Sequence, residues 1–328
     1  MSSLQFSHPT PSDIPALAQL WNVAMPPEFP LTERLLRQSM QDDPWYESEG
    51  CWIVRDKDAI IGWVMVKSMR EAGPEVGRFQ NRGGIGALCV HPDYQRRGIG
   101  SELLGRAETF LSAHNSPATL LYFPYHLLPG IPDSCVTAIA FFEKHGYGNW
   151  KEEFDLHRNL SNYQIPDKAL SALQNNPSVE IRPARDDEAT KVINFVAREF
   201  PGPWTYTTRQ HFLNGGFPHD VIIIVDNMED NSIIGFCHTG DFHSLKLIPS
   251  TYWFPALGPR FGGLGPIGIA KAHRKRGLGL ALCAVAVNDL KGRGVEEMAI
   301  DWTTLRDFYG QMGFEVWKRY LQGERKIC

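Results

Sequence analysis

Two short segments combine cations with paired glycines: Gln95-Arg96-Arg97-Gly98-Ile99-Gly100 and Arg274-Lys275-Arg276-Gly277-Leu278-Gly279. Each follows an apolar, glycine-containing stretch that reads as a strand (residues 84–90 and 267–270). Each runs into an apolar stretch that reads as a helix. A strand, a two-glycine turn and a helix start together aim several backbone N–H groups at one anion. Glycine removes the Cβ that would block the approach, the helix N-terminus adds a positive partial charge, and the flanking Arg and Lys add full charges. The spacing excludes two commoner cradles. A nucleoside-triphosphate loop needs Gly-Lys-Ser/Thr after four spacers, and a dinucleotide loop needs a third small residue where Leu103 and Leu282 stand.

The repetition extends beyond the loops. Phe141-Phe142-Glu143-Lys144-His145-Gly146-Tyr147 is echoed by Phe308-Tyr309-Gly310-Gln311-Met312-Gly313-Phe314, and Ile60-Ile61-Gly62-Trp63-Val64 by Ile233-Ile234-Gly235-Phe236. With Gln/Arg-x-x-Gly-x-Gly between them, these segments resemble a tandem pair of GNAT-superfamily acetyltransferase domains over nearly the whole chain. The resemblance implies an α+β protein of two tandem GNAT domains, each a mixed, mostly antiparallel sheet with helices on both faces. It implies acetyl-CoA as cofactor, held at Val90, Gln95, Arg96, Arg97, Gly98, Ile99 and Gly100 and at Ile269, Arg274, Lys275, Arg276, Gly277, Leu278 and Gly279. The domains are expected at 1–165 and 179–328, joined by a polar linker at 166–178, with the second the expected catalyst.

Acetyl transfer to an amine needs a neutral amine, a donor for the oxyanion and a proton for the departing thiolate. In many GNAT enzymes a tyrosine on the helix after the cofactor loop supplies that proton. Tyr309 falls there, whereas the first half has Phe142, which cannot donate. The competing reading of Tyr309 is a packed aromatic alongside Leu305 and Met312. Asp301 ends the strand expected at 295–300, near the thioester in the resembled fold, and could accept or orient the amine proton. Its competing role is helix entry, although Thr304 and Asp307 already offer a capping-box pair. The family's usual Glu on the strand before the loop and Asn after the later strand are both missing, which leaves the usual proton route without its residues. Trp204 and Tyr206 follow Phe200-Pro201-Gly202-Pro203 in the segment that walls the acceptor site in this superfamily. They offer aromatic faces to a ring-shaped substrate, or else a core tryptophan behind a rigid turn. The layout is similar to that of glucosamine and glucosaminide N-acetyltransferases, so a small primary amine, and an amino sugar among these, is the expected acceptor. A protein or peptide acetyltransferase and a non-catalytic acyl-CoA-binding protein are the alternatives.

These residues must be positioned by ordinary globular elements. The 328 residues are 43% hydrophobic and 21% charged with a net charge of −4, which argues against a nucleic-acid surface. No apolar run approaches the roughly 20 residues of a membrane span, and no leader pattern opens the chain, so a cytoplasmic protein without a membrane partner is expected. Cys51, Cys89, Cys135, Cys237, Cys283 and Cys328 are scattered, without Cys-x-x-Cys spacing, so neither metal site nor disulfide framework is expected. Ser12-Asp13 reads as a cap before the helical spacing of Ile14, Leu17, Leu20 and Trp21. Residues 51–54 pair with 60–66, and 221–225 with 233–237, as hairpins. The Pro/Gly-rich stretch 252–265 reads as an irregular strand or a lid. No motif specifies an oligomeric state.

Overall fold

A computed structural model of the chain describes residues 4–70, 74–123 and 126–326. The first half runs β1 (Gln5–Ser7), α1 (Ile14–Ala24), α2 (Glu33–Gln41), β2 (Trp52–Asp56), β3 (Ala59–Ser68), β4 (Gly83–Val90), α3 (Ile99–Ala113), β5 (Ala118–Leu120), β6 (Ile131–Pro132), α4 (Val136–Lys144) and β7 (Gly148–Asn159). The second half runs α5 (Asp167–Gln174), β8 (Val179–Pro183), α6 (Ala189–Glu199), α7 (Pro203–Leu213), β9 (Val221–Asp226), β10 (Ser232–Asp241), α8 (Phe254–Leu257), β11 (Phe261–Ile269), α9 (Leu278–Gly292), β12 (Glu297–Thr303), α10 (Arg306–Gly310) and β13 (Glu315–Lys326).

Two compact units result, and neither is contiguous in sequence. One comprises Met1–Gly73, Phe79–Glu153 and Arg319–Cys328; the other comprises Pro74–Arg78 and Phe154–Lys318. In the first unit the sheet order is β1-β2-β3-β4-β5-β13, antiparallel except for the parallel pair β4 and β5. In the second it is β8-β9-β10-β11-β12-β7, antiparallel except for β11 and β12. The topology is thus the same, but the last position in each sheet is filled by the strand that follows the other half's helix. Each sheet is mixed, mostly antiparallel and flanked by helices, the expected α+β arrangement.

The registers show how closely the copies correspond. Gly62 pairs with Val90 as Gly235 pairs with Ile269. Gly83 pairs with Thr119 as Gly262 pairs with Met298. Counting along the strands therefore sets Asp301 against Tyr122 and Trp302 against Phe123. Gly62 is needed by packing: a Cβ there would lie 3.1 Å from both Ile99 and Leu103, so glycine lets α3 settle on the sheet.

The core of the second unit gathers Phe154, Leu156, Ile222, Ile224, Leu278, Leu282, Met298, Ile300, Tyr309 and Phe314. Cys51, Cys89, Cys237 and Cys283 are buried and free, as small apolar residues; Cys328 lies outside the described residues. Residues 166–178, linker-like in composition, hold α5. Only Ala169 and Ala172 of that helix are buried, too little to show as an apolar stripe in the sequence. The end of the stretch 252–265 is an irregular strand, since the pairing of β11 with β10 shifts register between Leu264 and Ile267. Tyr252 and Trp253 are buried, α8 follows them, and β11 begins at Phe261. No helix among the described residues is long and apolar enough to cross a membrane.

Candidate active site

The two cation-glycine segments adopt one backbone shape. Arg96 (φ +62°) and Gly98 (φ +85°) are left-handed, and so are Lys275 (φ +65°) and Gly277 (φ +79°). The helices start on the next residue, at Ile99 and Leu278. The first amides of a helix have no partner within it, and here they open at an exposed turn flanked by cations. The Ile99 and Leu278 side chains are buried at 4% and 1% exposure, so only their backbone can meet a ligand. A Cβ on Gly279 would meet only Ile269 and Phe308, at the ordinary distances of 3.8 and 3.9 Å; on Gly100 it would meet Phe141 and Val90 at 3.5 and 3.8 Å. The fold itself does not require glycine there, whereas a diphosphate approaching the backbone does. The residues present therefore fit acetyl-CoA in both units.

Not every side chain of the loops faces outward. Gln95 Nε2 donates to the Val90 carbonyl at 3.1 Å, and Arg274 Nε donates to the Ile269 carbonyl at 3.1 Å. Both side chains close the loop onto the end of its strand. Arg97 stacks over the Tyr94 ring and donates to the Asp93 carbonyl. Arg276 donates from Nε to Asn176 Oδ1 at 2.9 Å, with NH1 against His273 Nδ1 at 2.9 Å and NH2 3.9 Å from Asp226. Asp226, Glu229 and His273 set three ligand atoms within 4.8 Å of one another, and the positive charge meeting that group is Arg276. This leaves Arg96 and Lys275 as the exposed cations with no bond or ion pair among the described residues.

At the other end of the site, β12 extends past Ile300 to Thr303, so Asp301 lies inside the strand and half-buried. The β12 register breaks here: Ile300 pairs with Leu156 and Thr303 with Phe154. Asp301 and Trp302 together oppose the single residue Asp155, which is a β-bulge. Trp302 takes φ +43°, a conformation that costs a non-glycine residue about 1–3 kcal/mol. The Thr304–Asp307 capping box does not form. The cap of α10 is Leu305, whose N–H is taken by Thr303 Oγ1 at 3.0 Å.

Tyr309 is 5% exposed, edge-on to Phe308 at 4.9 Å. Burial, with the Cys283 and Cys237 thiols next to it, pushes its phenol far above the usual tyrosine range, so the hydroxyl keeps its proton. Tyr309 is thus a packed aromatic with a neutral hydroxyl. In the first unit Phe142 has the same place, 6% exposed and edge-on to Phe141 at 5.2 Å.

Trp204 is 40% exposed at the start of α7, its ring 5.5 Å from Phe200 and 6.1 Å from Phe236. Two residues along a helix point to different sides, so Trp204 and Tyr206 do not form one aromatic face. His238 is buried under α7 and bonded to Thr208 at 2.9 Å; burial, reinforced by His211, pulls its imidazole down to about 3, so it is neutral at physiological pH.

The loops, the helix that follows and the parallel strand pair occur twice, and so does the match to a family model: the acetyltransferase (GNAT) family is matched at residues 14–147 and 189–314. The chain belongs to the GNAT family. It is an acyltransferase with two GNAT domains in tandem, and the family generally uses acetyl-CoA. Among solved structures it is similar to a GCN5-related glucosamine N-acetyltransferase region of a fungal multi-domain GH3 β-N-acetylglucosaminidase. The TM-score is 0.88 at 25% identity, over 99% of this chain and 38% of that one. It is also similar in fold to a GCN5-related N-acetyltransferase from Sphaerobacter thermophilus (TM-score 0.71, 19% identity, 98% and 95% covered). A tandem GNAT protein from the clavulanic acid biosynthesis pathway shares the fold too (TM-score 0.66, 14% identity, 99% and 98% covered). No curated protein sequence matches the chain.

Sequence reasoning missed the residues that hold this GNAT site in shape: Asn176 and His273 beneath the second loop, and Asp155 beneath the bulge. The run Asn175-Asn176-Pro177 reads as a turn, and Asp155 sits in an unremarkable strand. Neither carries a local signal.

Proposed function

We propose that the protein transfers the acetyl group of acetyl-CoA to the primary amine of a small molecule, an amino sugar, and that the second unit performs the reaction in the cytoplasm. The observation that carries this reading is the pairing of Tyr309 with Phe142. Two sites alike in loop backbone and strand register differ at the residue that would donate a proton, and only the second has a tyrosine there.

Acetyl-CoA supplies an activated acyl group and is held by the amides at 276–279 and by Lys275. Asp301 takes the proton from the acceptor amine. A carboxylate base suits a weakly basic sugar amine better than a lysine side chain. Tyr309 Oη would be the hydrogen-bond and proton donor to the departing sulfur. Trp204 provides an apolar face at the acceptor side. The likeness to the glucosamine N-acetyltransferase region, over 99% of this chain, supports the choice of acceptor. In the first unit the cradle is intact but the donor is absent, so that unit holds acetyl-CoA without turning it over.

The test is release of free CoA with glucosamine, spermidine, kanamycin or a lysine peptide, each at equal concentration. Glucosamine should be preferred. A preference above about tenfold, or about 1.4 kcal/mol, for any of the other three overturns the amino-sugar reading and leaves the transferase reading standing. Acetyl-CoA binding without turnover of any amine would instead identify an acyl-CoA-binding protein.

A further inference from the structure

The bulge in β12 departs from the regular strand at the point where the proposed chemistry begins. Two residues, Asp301 and Trp302, oppose one, Asp155. A bulge forfeits a rung of the ladder and frees a backbone N–H. Here the Trp302 N–H is taken by Asp155 Oδ1 at 3.1 Å, from a carboxylate only 2% exposed. The tryptophan so held has φ +43°, a region that bulky side chains avoid and that persists only where the surroundings fix it. The restraint continues along the chain. Thr303 Oγ1 accepts the Leu305 N–H at 3.0 Å, and the Leu305 carbonyl accepts the Tyr309 N–H at 3.2 Å. One buried carboxylate therefore anchors the backbone between Asp301 and the helix that carries Tyr309. Among the described residues the first unit shows no such bulge. Its β5 ends at Leu120, and Tyr122 and Phe123 stand where Asp301 and Trp302 would be, without a left-handed residue.

We propose that Asp155 is a positioning residue for acetyl transfer: its carboxylate oxygen locks the Asp301–Trp302 bulge in the shape that sets Asp301 against the acceptor amine. This rests on Asp301 acting on the amine. The bond to the Trp302 N–H needs an acceptor oxygen, which asparagine keeps and leucine lacks.

Steady-state kinetics of Asp155→Leu, Asp155→Asn and Asp301→Asn test it. Asp155→Leu should lose about 10²-fold in kcat/KM for the amine, the scale of a misplaced catalytic group, with acetyl-CoA affinity unchanged by calorimetry. Asp155→Asn should restore most of the rate. Wild-type kinetics in Asp155→Leu overturn the proposal, as does Asp155→Asn failing as badly as Asp155→Leu. A slow Asp155→Leu beside a wild-type Asp301→Asn overturns it too, and removes Asp301 from the mechanism. An Asp301→Asn defect with a normal Asp155→Leu leaves the role of Asp301 standing and sinks only the positioning role. If Asp155→Leu does not fold, hydrogen exchange on the wild-type protein decides: the Trp302 amide should be strongly protected, and exchange at the rate of an open amide overturns the assignment.

Discussion

Asn176 and Arg276 hold each other from both ends: Arg276 Nε donates to Asn176 Oδ1 at 2.9 Å, and Asn176 Nδ2 donates to the Arg276 carbonyl at 3.3 Å. Asn176 Nδ2 also bonds the Ala172 carbonyl at 2.7 Å, at the end of α5. The helix that looked like linker is thereby the floor of the second cradle. A Cβ on Gly277 would come 2.7 Å from Ala172, which shows how closely the two approach.

Asn176→Ala should therefore loosen the loop without touching a ligand. Losing hydrogen bonds to a charged group costs about 1.5–3 kcal/mol, part of which will appear as acetyl-CoA affinity. The expected result is a dissociation constant raised about tenfold, a loss of about 1.4 kcal/mol, for the second site in calorimetry of the folded variant. Unchanged affinity would show that Asn176 only supports the fold.

Gly279→Val asks the complementary question. In the free protein the new side chain starts from ordinary contact distances to Ile269 and Phe308, so the melting temperature should barely move. A ligand phosphate lying on the loop would collide with it, and acetyl-CoA affinity should fall more than about tenfold, or 1.4 kcal/mol. A variant that binds as tightly as wild type would mean that the diphosphate lies elsewhere.

The cradles were legible in the sequence because their glycines and cations are consecutive, so a backbone shape is written into a few adjacent positions. The place of Tyr309 in the fold was legible by comparison with Phe142, since the repeat supplies an internal reference. The Asp155–Trp302 contact was not. It joins residues 147 positions apart, and the left-handed tryptophan follows from strand register, which no local pattern encodes. The pairing of β7 with β12 and of β13 with β5 is hidden for the same reason, because the partners lie far apart in sequence. The cap of α10 was misread because Thr304 and Asp307 have the right spacing, yet Thr303 reaches the open amide of Leu305 first.

Stability should respond to acid through Glu188. Its two oxygens accept from Arg182 NH1 and NH2 at 2.7 Å each, and one also accepts the Arg185 N–H at 2.8 Å. The Arg182 bonds first, then the Arg185 amide, hold its carboxyl down to about 2, below the ordinary value of 4.5. A folded-state pKa below the unfolded one stabilises the fold above the unfolded value, and the gain disappears as pH falls through the folded one. Glu188→Gln should cost about 1–3 kcal/mol at pH 7, and the gap to wild type should close between about pH 4.5 and pH 2. Urea unfolding across that range checks it; a gap independent of pH would mean that the pair contributes through packing alone.

Tyr309→Phe isolates the proton from the packing. The first unit shows that the fold accepts the exchange: Phe142 occupies the equivalent place with 6% exposure against 5% for Tyr309. Its ring sits 5.1 Å from Tyr147, as that of Tyr309 sits 6.4 Å from Phe314. The variant should therefore fold and bind acetyl-CoA like the wild type. What it loses is a hydroxyl that burial keeps protonated. General acid catalysis contributes about 10²–10⁴-fold, so kcat should fall on that scale while the KM for acetyl-CoA stays put. Without the phenol, release of the thiolate has to be assisted by water, and a more acidic thiol leaving group should recover part of the rate. Near-wild-type turnover with the natural thioester would instead make Tyr309 a core residue like Phe142, and the bulge at Asp301 would remain as a difference between the two units.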